Sequence, residues 1–138
     1  MKRILITGAG GSPSVNFTRS LRQSKDEYYL VGTDADKYYL QRAEVDKAYL
    51  APLAKDPKYI DFLNYIIDKE KIDFVHAQND VEVGVLSEVR EQLHAPTFFP
   101  KKETVKVLQD KFESFKIWEA AGIKVPHTVL IQQDTDLQ

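Results

Sequence analysis

A glycine-rich turn between a short apolar run and a helix-forming segment restricts the fold more than any other feature of the sequence. Residues 3–7 are predicted to form a strand, and residues 8–11 (GAGG) turn the chain. Ser12 can cap the next helix, with Pro13 at its first position, where the missing N–H costs nothing. A strand, a tight glycine turn and a helix make the first half of a βαβ unit, which predicts a parallel sheet.

The rest of the chain repeats the alternation of short apolar runs and helical patterns. Further strands are predicted at residues 29–33, 48–50, 74–77, 97–99 and 128–131. Helices are predicted after the caps Asp56, Asp80 and Asp110, around Val105 and Leu108, and up to a stop at Gly122. The most regular helical spacing predicts one buried face, formed by Tyr59, Phe62, Leu63, Ile66 and Ile67. The fold class indicated is α/β, a three-layer, doubly wound, mostly parallel sheet of Rossmann-like type.

Composition excludes several classes of protein. The 138 residues include no cysteine, which excludes disulfide scaffolds, thiolate metal sites and cysteine nucleophiles. Lys and Arg number 19 against 21 Asp and Glu, so the basic excess of a dedicated nucleic-acid binder is missing. The apolar runs are too short for a membrane span or a signal peptide. We therefore expect a cytoplasmic protein with neither nucleic acid nor membrane as a partner.

Polar residues and glycines cluster where the predicted strands end, and open parallel sheets bind ligands at that edge. The glycine turn is expected to present free backbone N–H groups to an anion, a contribution of about 0.3–1 kcal/mol. The candidate substrate-binding residues are Gly8, Gly10, Gly11, Ser12, Asp34, Asn79, Asp80 and Glu82. A purely structural interpretation stays open. In it the glycines provide the backbone angles of the turn, Asp80 caps a helix, and Glu82 is a first-turn acid that the helix dipole stabilises.

Other candidates for chemistry are weaker. Tyr65 and Lys69 have the spacing of a short-chain dehydrogenase pair, but they lie on a helix before the fourth strand, so we interpret Tyr65 as core and Lys69 as surface. His76 is interpreted as an interior histidine, and the isolated His94 and His127 predict no metal site. We nominate no catalytic residue.

The end of the chain carries two further signals. Lys111 lies in the first turn of a capped helix, where a positive charge opposes the helix dipole. Such a local conflict is typical of a charge that is kept for a ligand. The predicted strand at 128–131 is followed by a polar stub, which indicates a piece of a longer protein.

Six short motifs in a fixed order carry a family resemblance: ILITGAG at 4–10, VGTD at 31–34, DKAYLAP at 46–52, IDFV at 72–75, DK at 110–111 and AGIKVP at 121–126. In this order the chain resembles the pre-ATP-grasp domain, the N-terminal domain of ATP-grasp ligases, especially proteins like the carbamoyl phosphate synthetase large subunit. That family phosphorylates a carboxylate with ATP, and an amine or a related nucleophile then attacks the acyl phosphate.

The resemblance implies a division of the chain and a set of partners. Residues 1–126 would form the pre-ATP-grasp domain, and residues 127–138 would begin a linker or strand toward an absent ATP-grasp module. Lys111 would contact an ATP phosphate, while the Mg ligands would lie outside this chain. The residues at the strand ends would face a small-molecule carboxylate or amine substrate. The resemblance also allows a homodimer, and the fragment alone would lack catalysis.

One departure from the family pattern bears on the substrate, and two rival hypotheses concern the class of protein. Residues 77–80 read AQND where true carbamoyl phosphate synthetases carry a Gly-Gly-Gln type of turn, so another acceptor is expected. The first rival is a truncated NAD-binding nucleotide-sugar epimerase or dehydrogenase, although Pro13 replaces the third small residue of the dinucleotide motif. The second is a non-enzymatic module that binds a small anion at Gly10 and Gly11.

Overall fold

A four-stranded parallel sheet forms the centre of the computed structural model, which describes residues 1–131. The strands are β1 (Lys2–Ile6), β2 (Tyr28–Asp34), β3 (Lys47–Leu50) and β4 (Phe74–His76), and their order across the sheet is β3-β2-β1-β4. β1 is central, and its Leu5 pairs with Val31 on one side and Val75 on the other. The order changes direction between β1 and β4, which opens a crevice at the carboxyl edge of the sheet.

In the described part of the chain, six helices and one 3₁₀ turn connect and follow the strands. They are α1 (Ser12–Arg22), α2 (Lys37–Leu40), α3 (Tyr59–Glu70), α4 (Asp80–Glu88), the 3₁₀ turn Arg90–Gln92, α5 (Lys102–Gln109) and α6 (Lys111–Ala120). Within residues 1–131, none of these helices has the length and apolarity that a bilayer span requires.

Alternation along the strands builds a core on each face of the sheet. Leu5 and Val31 face α3, where Leu63 is fully buried against them. Ile6 and Leu30 face the opposite side, where Phe17 of α1 packs. Successive side chains of a strand point to opposite faces, so apolar residues at every position require helices on both sides. The predicted three-layer, doubly wound α/β fold is confirmed.

Two predicted strands differ from the structure. Residues 97–99 form only a single bridge, Thr97 beside Val75, because Pro96 and Pro100 flank the segment and have no N–H for a ladder. Residues 128–131 form no strand, and Ile131 is 66% exposed. Strand-prone side chains form no sheet without a neighbour to pair with. The predicted boundary at residue 126 remains a prediction, and residues 132–138 of the predicted linker lie outside the described residues.

The predicted helices form, but several predicted ends are wrong: the cap position of α1 is Gly11, without a side-chain hydrogen bond, and Ser12 is already helical. Asp110 accepts hydrogen bonds from the N–H groups of Phe112 and Glu113, both at 3.0 Å, so the predicted cap of α6 is confirmed. α3 begins at Tyr59 and not directly after Asp56. The interpretation of Tyr65 as core is wrong, since 59% of it is exposed on the outer side of α3.

Truncation of the buried Leu63 and of the exposed Tyr65 on α3 should change the stability of the chain to different extents. Leu63→Ala is expected to lower the free energy of unfolding by about 2–5 kcal/mol, because it leaves a cavity at a fully buried site. Tyr65→Ala, the exposed control on the same helix, should change it by no more than about 0.5 kcal/mol. Urea denaturation followed by circular dichroism measures both. Equal losses in the two variants would contradict this packing of α3.

Candidate functional site

A cavity of about 400 Å³ opens at the carboxyl edge of the sheet, between the ends of β1, β2 and β4. We call it the rim cavity. Its lining residues come from the glycine turn, the end of β2, the loop before α3 and the start of α4; they are Gly8, Gly11, Asp34, Ala35, Tyr39, Leu53, Ala54, Asn79, Val81 and Glu82. Five of the eight candidate substrate-binding residues therefore meet in one place.

The glycine turn forms its hydrogen bonds within the chain. The N–H of Gly10 donates to Asp34 Oδ2 at 3.1 Å, and the N–H of Gly11 donates to the Gly8 carbonyl at 3.0 Å. The expectation of free N–H groups at Gly10 and Gly11 is wrong, because Asp34 reaches across from β2 and supplies the anion itself. The second oxygen of Asp34 accepts from the Asp36 N–H at 3.0 Å, which fixes the carboxylate between two segments.

Gly10 is required by the chain's own packing. A Cβ on Gly10 would lie 1.8 Å from the carbonyl oxygen of Tyr39. The segment carrying Tyr39 is held by Asp36, which caps α2 by accepting from the Tyr38 and Tyr39 N–H groups. The group that lies close to Gly10 is therefore the backbone of a neighbouring segment.

Glu82 is the buried acid of the cavity. The residue is 9% exposed, and its Oε1 accepts a hydrogen bond of 2.8 Å from the Tyr59 hydroxyl. Its Oε2 is fully buried against Gly8. Burial raises the pKa of the Glu82 carboxyl and the charge of Asp34 adds to the effect, whereas hydrogen bonding from Tyr59, Thr7 and the Gly8 backbone opposes it. Burial likewise raises the pKa of Tyr59, with a further contribution from Glu82.

Glu82 also depends on Gly8. The φ of Gly8 is +54°, a conformation that favours glycine, and a Cβ there would lie 2.7 Å from Glu82 Oε2. The first glycine of the turn thus makes room for the acid of α4. Sequence reasoning selected both residues but missed Tyr59, which appeared only as part of an apolar face. A buried tyrosine usually finds a partner for its hydroxyl, and that was the available signal.

Asn79 caps α4 in place of Asp80. Its side-chain oxygen accepts from the N–H of Val81 at 2.9 Å and of Glu82 at 3.4 Å, so the predicted cap at Asp80 is wrong. Asn79 has the extended backbone of a cap, whereas Asp80 is already the first helical residue. Because the Asn79 oxygen is used in this way, its NH₂ group is the part left for a ligand.

Besides Gly10, three candidates lie outside the rim cavity. Ser12 borders a separate cavity beside Arg42. Asp80 borders the groove between α4 and α5, and its carbonyl accepts from Gln109 at 2.6 Å. Lys111 is the exposed first residue of α6, two positions beyond Gln109. The binding roles of these residues stay predictions.

His76 is half-buried at the end of β4. Its ring stacks on Phe17 with centroids 3.7 Å apart, and burial lowers its pKa. Its Nε2 is buried and has no partner within the described residues, so this interior histidine is not fully satisfied. In the same part of the chain, no three His, Asp or Glu side chains are grouped closely enough to hold a metal ion.

A family model matches most of the chain. Residues 4–97 match the model described as PylC-like, N-terminal domain. No curated protein matches the chain.

Solved structures share the fold at low sequence identity. The N5-carboxyaminoimidazole ribonucleotide synthetase of Thermotoga maritima is 19% identical with a TM-score of 0.62, over 92% of this chain and 32% of that one. The L-amino acid ligase of Bacillus licheniformis is 14% identical with a TM-score of 0.64, over 91% and 32%. The dTDP-glucose 4,6-dehydratase of Bacillus anthracis, in complex with NAD, is 17% identical with a TM-score of 0.53, over 70% and 36%. The chain thus spans about a third of each of these proteins.

Substitution of Gly10 tests the backbone approach. Gly10→Ala should lower the free energy of unfolding by about 1–3 kcal/mol, because the new methyl group collides with the Tyr39 carbonyl. Gly84→Ala is the matched control in the interior of α4, where the nearest atom is the end of the Gln109 side chain at 3.3 Å. It should be neutral or stabilising by up to about 1 kcal/mol. Chemical denaturation measures both, and a harmless Gly10→Ala would contradict the geometry.

Substitution of Glu82 tests its protonation. Because the pKa of Glu82 is raised in the folded state, the native chain holds this proton more tightly than the unfolded chain does. The wild type therefore loses free energy of unfolding as the pH rises above the ordinary value of 4.5, by at most about 1.4 kcal/mol per pH unit. Glu82→Gln removes this loss and keeps an oxygen for Tyr59, so its stability relative to the wild type should rise with pH. A pH-independent difference in urea titrations would contradict the raised pKa.

Proposed function

This chain belongs to the family of PylC-like N-terminal domains, the pre-ATP-grasp class that its motifs predict, and we propose that it serves an ATP-dependent carboxylate ligase. The observation that carries the proposal is the rim cavity, where polar side chains from the end of β2 and the start of α4 meet the glycine turn at the carboxyl edge of a parallel sheet. Two of the proteins that share the fold are named as a synthetase and a ligase, which supports the same class.

The rim cavity is proposed as one wall of the acceptor-substrate site. Asp34, Asn79 and Glu82 supply its polar groups, and Tyr39 and Leu53 supply its apolar mouth. A small carboxylate or amine substrate would bind here with the remaining wall supplied by an ATP-grasp module. The synthetase and the ligase that share the fold are about three times as long as this chain, which leaves room for such a module.

ATP is proposed to contact this domain at the start of α6. Lys111 offers one ammonium group, exposed at the start of α6, to a phosphate oxygen. A phosphate contact would explain a lysine at the helix end that the dipole disfavours. The Mg ligands are proposed to lie outside this chain, since the described acids form no metal-binding group.

Three observations count against the NAD-binding alternative. The Tyr39 carbonyl lies against Gly10, where a pyrophosphate would have to approach. Asp34, the residue expected on a ribose, is bonded to the Gly10 N–H. Tyr65 is 59% exposed on α3 and is not among the residues that line the rim cavity.

Activity of the complete gene product tests the proposal. The full-length protein should release ADP only when both a carboxylate and an amine are supplied, as measured by a coupled ADP assay. Lys111→Gln should lower kcat/KM for ATP about tenfold, or about 1.4 kcal/mol, through the lost phosphate contact. Lys101→Gln, another exposed lysine, should leave it unchanged. Tight binding of ATP to residues 1–138 alone, seen by calorimetry, would contradict the proposed division between the two modules.

A further inference from the structure

We propose that Gln109 is a positioning residue for Lys111, because it ties the corner between α5 and α6 to the first residue of α4. The inference rests on the proposed function, in which Lys111 contacts an ATP phosphate, and it names the residue that fixes where that contact is made. Three features of the described residues support it: a corner without a loop, a buried serine and a directional hydrogen bond.

The corner between α5 and α6 contains no loop. α5 ends at Gln109 and α6 begins at Lys111, so Asp110 alone separates the two helices. The Asp110 N–H donates to the Val107 carbonyl at 3.2 Å, and its carboxylate caps α6. The backbone of this one residue sets the direction of α6. Any movement of α5 is therefore passed directly to Lys111.

Ser114 fixes α6 on α5. Its side chain is buried, and its hydroxyl donates to the Val107 carbonyl at 2.9 Å. Ile117 and Trp118, further along α6, are exposed. In the described part of the chain α6 packs on α5, and α5 packs on α4. The two helices thus form a unit whose place depends on how α5 is held against α4.

Gln109 supplies the directional part of the contact between α5 and α4. Its Nε2 donates to the Asp80 carbonyl at 2.6 Å. The buried Val105 of α5 lines the same groove as Val85 of α4, but apolar contacts are non-directional and let packed helices slide. A hydrogen bond to one carbonyl weakens steeply with distance and angle, so it selects one register of α5 on α4.

Gly84 leaves room for this amide. It lies four residues after Asp80, on the same face of α4, and a Cβ there would lie 3.3 Å from Gln109 Oε1 and 3.6 Å from Nε2. Asp80 directly follows Asn79, which lines the rim cavity. The hydrogen bond therefore joins the corner that carries Lys111 to the wall of the proposed acceptor site. Relative placement matters there, since a shift of about 1 Å can cost about a hundredfold in rate.

Distances between spin labels test the placement of α6 in the 138-residue chain. The sequence has no cysteine, so Asp61→Cys on α3 and Glu119→Cys on α6, both at exposed positions, give two specific labels. Gln109→Met removes the donor while keeping the length and helix propensity of the side chain. It should broaden or displace the distance distribution by more than its width in the parent. Gln23→Met, at an exposed glutamine after α1, should leave it unchanged. No change in Gln109→Met, or an equal change in Gln23→Met, overturns the inference.

Kinetics of the full-length protein test whether Gln109 acts through Lys111. Gln109→Met should lower kcat/KM for ATP about threefold. In the Lys111→Gln background the same substitution should cause no further loss, because the group that Gln109 positions is then missing. Gln23→Met should leave kcat/KM unchanged in both backgrounds. An unchanged kcat/KM in Gln109→Met overturns the inference, and so does an equal loss in the two backgrounds, which a general structural effect would produce.

The outcome is separable from that of the proposed function. The spin-label measurement needs neither ATP nor a second module. A changed distribution in Gln109→Met, combined with a full-length protein that never hydrolyses ATP, would keep Gln109 as the residue that places Lys111 and remove the ligase. Hydrolysis that depends on Lys111, combined with an unchanged distribution, would keep the ligase and overturn the role of Gln109.

Discussion

The close approach of Glu82 to Gly8 is the constraint on which the rim cavity depends. A carboxylate oxygen occupies the space that any side chain at position 8 would fill, and the left-handed backbone of Gly8 admits it. Tyr59 fixes the same carboxyl group from α3. One acid thereby ties together the end of β1, the start of α4 and the first turn of α3.

A second acid, Asp34, occupies a backbone donor of the glycine turn. In a parallel α/β fold the turn after β1 is a natural anion site, because N–H groups converge there at a helix N-terminus. Here Asp34 takes the N–H of Gly10, and Gly11 bonds back to Gly8. The anion is thus supplied from within the chain. A backbone geometry that would otherwise favour a phosphate is covered by a carboxylate of the chain itself, so the surface there is acidic.

The fold could be predicted from the sequence because its signals are local. The consecutive apolar residues 4–6 in β1 and 28–31 in β2 predict strands covered on both faces, and the helical spacing after residue 58 predicts the buried face of α3. Two errors also have local causes. Tyr65 is apolar enough to pass for core but lies just off the buried stripe, and residues 128–131 have strand propensity without a strand to pair with. Whether a strand-prone segment finds a partner depends on the whole sheet and not on its own residues.

The site could be predicted only in part, for the same reason. Topology places Asp34, Asn79 and Glu82 at one edge, so their neighbourhood follows from strand order alone. Their hydrogen bonds do not follow, because Gly10 and Asp34 are 24 residues apart and Tyr59 and Glu82 are 23 apart. The first pairing consumes a donor that the turn was expected to offer, and the second holds a buried acid in place. Contacts between distant segments, which no local motif encodes, therefore decide which donors and acceptors of the site stay available.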